Sequence, residues 1–281
     1  MNIEKIKDYY KQTQFEYRIV WNWRSKNIPA LHFGFYDEKA TTHDTALIRA
    51  NEVLAEWSGI KEGSRVIDAG CGLGQSSAWL AQHHKCKVTG ITIAPNQVEA
   101  ATKRIKLAGI ENADFKEANY LEMPFEDNSA DAIWAVESVC YSSDKSAFYK
   151  EAFRVLKPGG KIVMAEYIRC KRPLSVEKEK LFKDVFGAWA IEDIDTVEEH
   201  KAHSVSAGFE DFRFNDVSKN MMVSYRNLEE MTKRWYWLAW LLDKTRVISK
   251  IRFDNMRYSM KQLECLQKEV FFYGHITATK P

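Results

Sequence analysis

At 281 residues the chain is long enough for one sizeable core with an added lobe, and a net charge of +2 with 28% charged residues gives no strong field of the kind nucleic acid attracts. The five cysteines, Cys71, Cys86, Cys140, Cys170 and Cys265, have neither metal-ligand spacing nor a paired framework, so reduced thiols in a cytoplasmic setting and no metal centre are expected. Residues 1–7 are polar and carry no apolar targeting core, and the densest apolar run, 235–242, falls far short of the roughly 20 residues of a membrane span, which excludes stable insertion.

Residues 5–23 carry Tyr9, Tyr10, Phe15, Tyr17, Trp21 and Trp23 at roughly helical spacing. Such density suits a lid over an apolar ligand as well as a face packed on the core. His32-Phe-Gly-Phe-Tyr-Asp37 follows, then an amphipathic helix over 46–59 with Thr42 or Asp44 as its cap. A turn at 61–64 leads into a strand at 65–68. Gly70, Gly72 and Gly74 come next, at alternate positions, before a helix over 75–84. A strand, a glycine turn and a helix start form the first unit of a nucleotide-binding α/β fold.

From there strands and helices alternate. Strands are predicted at 87–93, 113–116, 131–136 and 161–166, with helices over 95–108 and 145–156 and a turn at Lys157-Pro-Gly-Gly160. This alternation implies a parallel sheet with right-handed crossovers. Beyond 168 the period breaks. Helices are predicted over 176–190 and 196–207, a strand at 208–214, a helical region rich in aromatic and basic residues over 219–268, and a last strand at 269–279 with Gly274 as a bulge. The last strands suit an antiparallel hairpin at the sheet edge. Residues 1–60 are therefore expected to form an aromatic-rich lid segment and 61–168 a cofactor-binding core. Residues 169–281 are expected to supply the remaining strands (208–217 and 269–279) and helical caps (176–207 and 219–268).

Asp68-Ala-Gly-Cys-Gly-Leu-Gly74 resembles the first motif of class I S-adenosylmethionine-dependent methyltransferases. Segments 117–125, 131–137 and 154–161 fit that family's later motifs in order. Within the family, Thr89-Gly-Ile-Thr-Ile-Ala-Pro-Asn-Gln97, Glu137-Ser-Val-Cys-Tyr141 and His32-Phe-Gly resemble the branch of sterol, tocopherol and prenyl-diphosphate methyltransferases. The resemblance is firm over 30–168 and loose outside it. It implies a Rossmann-like α/β fold: a seven-stranded, mostly parallel sheet with an antiparallel edge hairpin and a helical cap. It also implies S-adenosyl-L-methionine as cofactor.

On that resemblance Gly70, Cys71 and Gly72 wrap the methionine part of the cofactor. Asp68 binds its ammonium directly or through water, or instead caps the loop. The family's second strand usually ends in an acid that holds the ribose hydroxyls. Here none is present, and Thr92 and Gln97 are the hydrogen-bonding candidates. Asn119 stands where an aspartate often faces the adenine amino group, with Ala118 and Tyr120 beside it, and Ala135 completes the cofactor set.

Methyl transfer is an in-line displacement at a sulfonium carbon, so the chain mainly aligns and shields the reactants. A base is needed only where the acceptor loses a proton. Glu137 ends the strand at 131–136, where ligands bind in open α/β sheets, and the apolar residues before it favour burial and a raised pKa. It is expected to stabilise and deprotonate a carbocation if the acceptor is an alkene, or to act as general base for a phenol or amine. Cofactor binding is its alternative role. Tyr141 and His32 are expected to work beside it. Tyr9, Tyr10, Tyr17, Trp21, Phe33, Trp189 and Trp237 are expected to line the acceptor side. The predicted function is methylation of a small lipophilic acceptor in secondary metabolism (terpenoid or prenyl chain, sterol-like ring or prenylated quinol), with carbon as the preferred atom. Nitrogen or oxygen methylation of a small amine or phenol is the alternative, and a non-catalytic cofactor-binding protein is a third. No nucleic-acid partner is expected, and a homo-oligomer is left open.

Overall fold

A computed structural model describes residues 3–19 and 30–281, with the side chains of 14, 15 and 17–19 outside that description. Chain order is α1 (Ile3–Ile19), α2 (His43–Ser58), β1 (Arg65–Ala69), α3 (Gln75–His83), β2 (Lys87–Thr92), α4 (Pro95–Leu107), β3 (Ala113–Glu117) and β4 (Ala130–Val136). After a 3₁₀ turn at Val139–Tyr141 come α5 (Lys145–Val155), β5 (Leu156–Arg169), α6 (Val176–Gly187), α7 (Val197–Ala207), β6 (Glu210–Asp216), α8 (Ser218–Lys244), α9 (Lys250–Ser259), α10 (Gln262–Gln267) and β7 (Phe271–Thr279).

The strands form one seven-stranded sheet in the order β3-β2-β1-β4-β5-β7-β6. Strands β3 to β5 pair in parallel, whereas β7 runs antiparallel to both β5 and β6. The mostly parallel sheet with an antiparallel edge is thus the one expected. Helices cover both faces, which is why β4 is buried along nearly its whole length, with Ile133, Trp134 and Ala135 fully enclosed. The predicted helix starts also hold. Thr42 and Thr45 form a reciprocal capping box on α2, and Pro95 opens α4.

Two local readings change. Lys157-Pro-Gly-Gly160 is not a free turn ahead of β5 but part of it. The β4–β5 register slips between Ala130 and Ala132, and Lys280 brackets the glycines by backbone hydrogen bonds to Gly159 and Gly160. Gly274 is not a bulge either. The β5–β7 register runs unbroken through Glu166↔Gly274, and the glycine is there because a Cβ would lie 2.2 Å from Cε2 of Phe214. The edge irregularity falls in β6 between Glu210 and Arg213, with Asp211 in the left-handed region.

Helix α8 is longer than the sheet is deep. Its first half buries Met221, Tyr225 and Leu228. Its second half packs on α9 through a small separate cluster of Ala239, Phe253 and Met256. Helix α9 in turn holds α1: Asn255 Nδ2 donates to Tyr9 Oη at 2.6 Å, and Arg252 pairs with Glu16 at 2.6 Å. No helix among the described residues is long and apolar enough to cross a membrane.

Candidate active site

The C-terminal ends of β1, β2 and β4 open into a cleft. Its polar lining includes Asp68, Gln75, Ser76, Thr92, Gln97 and Glu137, and its apolar and aromatic lining includes Ile6, Tyr10, Leu31, Leu73, Ile93, Val136 and Tyr141. His32, Gly70, Cys71, Gly72 and Tyr120 also line it.

Part of the polar lining grows from the glycine loop. Asp68 is buried at the end of β1 and accepts a 2.6 Å hydrogen bond from Ser77 Oγ. Burial pushes its carboxyl up to about 6, against the pull of Ser77 and His32. Gly70 takes a φ of +86°, and a Cβ there would lie 2.4 Å from that of Ser138. The amides of Gly70 and Cys71 both donate to the Ile91 carbonyl, which fixes the loop onto β2. At the end of β2, Thr92 Oγ1 donates to Gln97 Oε1 at 2.6 Å, so the two act as one polar unit.

Another part centres on Glu137. Its backbone lies in the left-handed region at φ +51°, an unusual position for a residue with a Cβ, and its amide is anchored to the Ala165 carbonyl. Oε1 accepts from the Phe33 amide at 2.8 Å and the Tyr273 hydroxyl at 2.7 Å. Oε2 accepts from the Tyr167 hydroxyl at 2.9 Å. Burial raises the Glu137 pKa, and His32 together with these three donors limits the rise. Tyr167 and Tyr273 are register partners across β5 and β7, so the sheet itself sets both hydroxyls.

Nearby, the Tyr10 hydroxyl donates to the Tyr141 hydroxyl at 3.0 Å, joining α1 to the turn after Glu137. His32 places Nδ1 2.9 Å from the Phe33 carbonyl and Nε2 3.0 Å from Gln75 Oε1, which also receives Asn51.

Other predicted site residues lie apart from the cleft. Asn119 Oδ1 accepts from the Leu121 amide, closing a local turn, and neither Asn119 nor Ala118 lines the cleft. Ala135 faces the core between the sheet and α5. Tyr9 is buried against α9. Phe33 and Trp189 stack in the core behind Glu137, at 6.3 Å between ring centres, with Tyr225 4.2 Å from Phe33. Trp237 is 62% exposed on α8, whose second half packs on α9 in a cluster separate from the main core. The Tyr17 side chain and Trp21 lie outside the described residues.

Sequence reading missed Glu166, although a single acid inside the apolar run 162–168 is a signal. Its Oε1 accepts from the amides of Ser138 at 2.8 Å and Val139 at 2.6 Å, and Oε2 has no hydrogen-bond partner among the described residues. It holds the start of the turn that carries Tyr141. Burial lifts its carboxyl to about 7. A carboxyl raised on folding stabilises the fold below its unfolded value near 4.5 and loses that contribution as pH climbs through about 7. The loss amounts to roughly 3 kcal/mol. Asp68 and Glu137 are raised as well, so thermal melts of the ligand-free protein between pH 4.5 and 7.5 are expected to show a fall in stability that Glu166→Gln reduces, most clearly above pH 6, without abolishing it. Parallel profiles for the two proteins would remove Glu166 as the cause.

Comparison with known proteins adds the following. Residues 67–164 match the model of a methyltransferase domain. The chain is 32% identical over 203 residues to a 27-O-demethylrifamycin SV methyltransferase of Amycolatopsis mediterranei, covering 71% of this chain and 74% of that protein. It is 29% identical to the chloroplastic tocopherol O-methyltransferase of Arabidopsis thaliana, over 98% of this chain and 82% of that one. A cyclopropane synthase of Mycobacterium tuberculosis superposes with a TM-score of 0.82 at 16% identity, across 100% of this chain and 99% of its own.

Proposed function

Because the chain belongs to the class I S-adenosylmethionine-dependent methyltransferases, we propose that it methylates a small lipophilic acceptor of secondary metabolism, with Glu137 as the residue that serves the acceptor. The observation that carries this reading is the mixed lining of the cleft. Ile6, Tyr10, Leu31, Val136 and Tyr141 share it with the Glu137 carboxylate, beside the polar groups at the ends of β1 and β2.

The residues present fit the donor. Asp68 is a buried carboxylate suited to an ammonium, and the crowding at Gly70 and the left-handed Gly72 leave a loop that only glycine allows. Thr92 and Gln97 offer a hydroxyl and an amide to a ribose diol in place of the usual acid. S-adenosylmethionine, when bound, supplies a methyl group already activated on a sulfonium. The chain's own task is alignment, exclusion of water and handling of charge. Tyr10 and Tyr141 can present ring faces to positive charge.

If the acceptor is an alkene, its carbon gains the methyl, the carbon–sulfur bond breaks and a cation forms on the acceptor. The Glu137 carboxylate stabilises that cation and takes the proton whose loss restores the double bond. If the acceptor carries a hydroxyl, the same oxygen atoms accept its proton as the methyl arrives. This second reading, oxygen methylation, draws on the two relatives named above, both of which are O-methyltransferases. An acceptor screen with labelled donor across sterols, terpenoid olefins, prenylated quinols, phenols and amines is expected to label the lipophilic acceptors. Labelling confined to small polar amines would defeat the proposal.

A further inference from the structure

We infer that the outer face of the α8–α9 hairpin docks on the anionic surface of a lipid bilayer. Among the described residues, the second half of α8 packs on α9 through the cluster of Ala239, Phe253 and Met256. On its open side Trp237, Trp240 and Leu241 follow at i, i+3 and i+4 and are 62%, 48% and 45% exposed. Val247, in the connection to α9, is 67% exposed. A helix on the surface of a globular protein normally turns charge outward at these positions. Here large apolar groups face water and the cations surround them. Arg234, Lys244, Arg246 and Lys250 are exposed, as is Lys233, which pairs with Glu229 at 2.9 Å; Asp243 lies among them, and Glu229, Glu230 and Asp254 flank the stretch.

Indole rings inside a basic rim suit the headgroup level of a bilayer, where the ring is half-buried and the cations meet anionic lipid. A chain of contacts links the patch to the cleft: α8 packs on α9, Asn255 of α9 holds Tyr9, and the adjacent Tyr10 lines the cleft. Docking through this face therefore ties α1, which supplies Ile6 and Tyr10 to the cleft, to the lipid that would carry the acceptor. This last link rests on the lipophilic-acceptor reading, whereas the docking itself rests on the patch.

The test is flotation of the purified full chain with vesicles of phosphatidylcholine alone or mixed with phosphatidylglycerol, with no donor or acceptor present. Association about tenfold tighter with the anionic vesicles, weakening with added salt, is expected. Trp237→Ser with Trp240→Ser should lower association about tenfold on both vesicle types, while cofactor binding in calorimetry stays unchanged. Lys244→Glu with Arg246→Glu should remove only the preference for phosphatidylglycerol. No vesicle association, association untouched by both pairs of substitutions, or self-association in lipid-free sedimentation that the tryptophan pair abolishes would each overturn the proposal. A chain that binds vesicles yet methylates only water-soluble amines keeps its docking surface and loses the lipophilic acceptor.

Discussion

Glu137→Gln is expected to slow methyl transfer by a factor on the order of 10²–10⁴ while affinity for S-adenosylmethionine stays within about threefold. The substitution is close to neutral for the structure. The amide oxygen can keep the bonds from the Phe33 amide and the Tyr273 hydroxyl, and the amide nitrogen can donate to the Tyr167 oxygen in place of accepting from it. What disappears is the negative charge and the ability to take a proton. Single-turnover rates at saturating donor, beside calorimetry on the same protein, separate the two effects. Turnover within about threefold of the parent, roughly 0.65 kcal/mol of barrier, would leave Glu137 only the task of holding the segment at Phe33. Tyr273→Phe sharpens the result. It removes one of three donors, so the carboxyl pKa should rise further, and the acid limb of the pH–rate profile should move to higher pH.

Gly70→Ala is expected to weaken S-adenosylmethionine binding by at least about a hundredfold, near 2.7 kcal/mol. A methyl at this position meets Ser138, which is held from two sides: its Oγ donates to the Ala69 carbonyl at 2.6 Å and its amide to Glu166. The loop must therefore move, and Asp68 and the cleft wall move with it. Gly63→Ala is the control. Gly63 has a similar φ of +76°, but a Cβ there meets nothing within 4 Å. It should lose only the backbone term, about 1–2 kcal/mol of stability, with binding intact. Equal binding losses in the two variants would mean that backbone strain rather than crowding at Ser138 matters.

The family and its branch were readable because their signals are local. Gly70, Gly72 and Gly74 after a short apolar strand, and Glu137 at the end of another, each fall within a few residues. The 32% identity to the rifamycin relative and the match to the tocopherol enzyme bear out both resemblances. Asp68, Thr92, Gln97, Glu137 and Tyr141 meet in one cleft because parallel strands deliver their C-terminal ends to the same edge. Tyr167 and Tyr273 were not readable. Their roles depend on a register between antiparallel strands separated by five helices and a further strand, and no short-range pattern encodes that. Trp237 was misplaced for a related reason. Helical spacing says which residues share a face, but not where the body beneath that face stops. At Asn119 the competing local use of the side chain, closing its own turn, prevails.

The surroundings of Glu137 also bear on the order in which the molecule is made. Its three hydrogen-bond donors come from residues 33, 167 and 273, and Ser224 of α8 clasps Gly34 beside the first of them through both its amide and its carbonyl. A chain emerging from the ribosome can pair β1 to β4 early, with Phe33 already made, while β5 still lacks its antiparallel neighbour. The carboxylate then lacks the Tyr273 hydroxyl and the clasp of Ser224 on Gly34. The set of donors around Glu137 is complete only when β7 slides between β5 and β6.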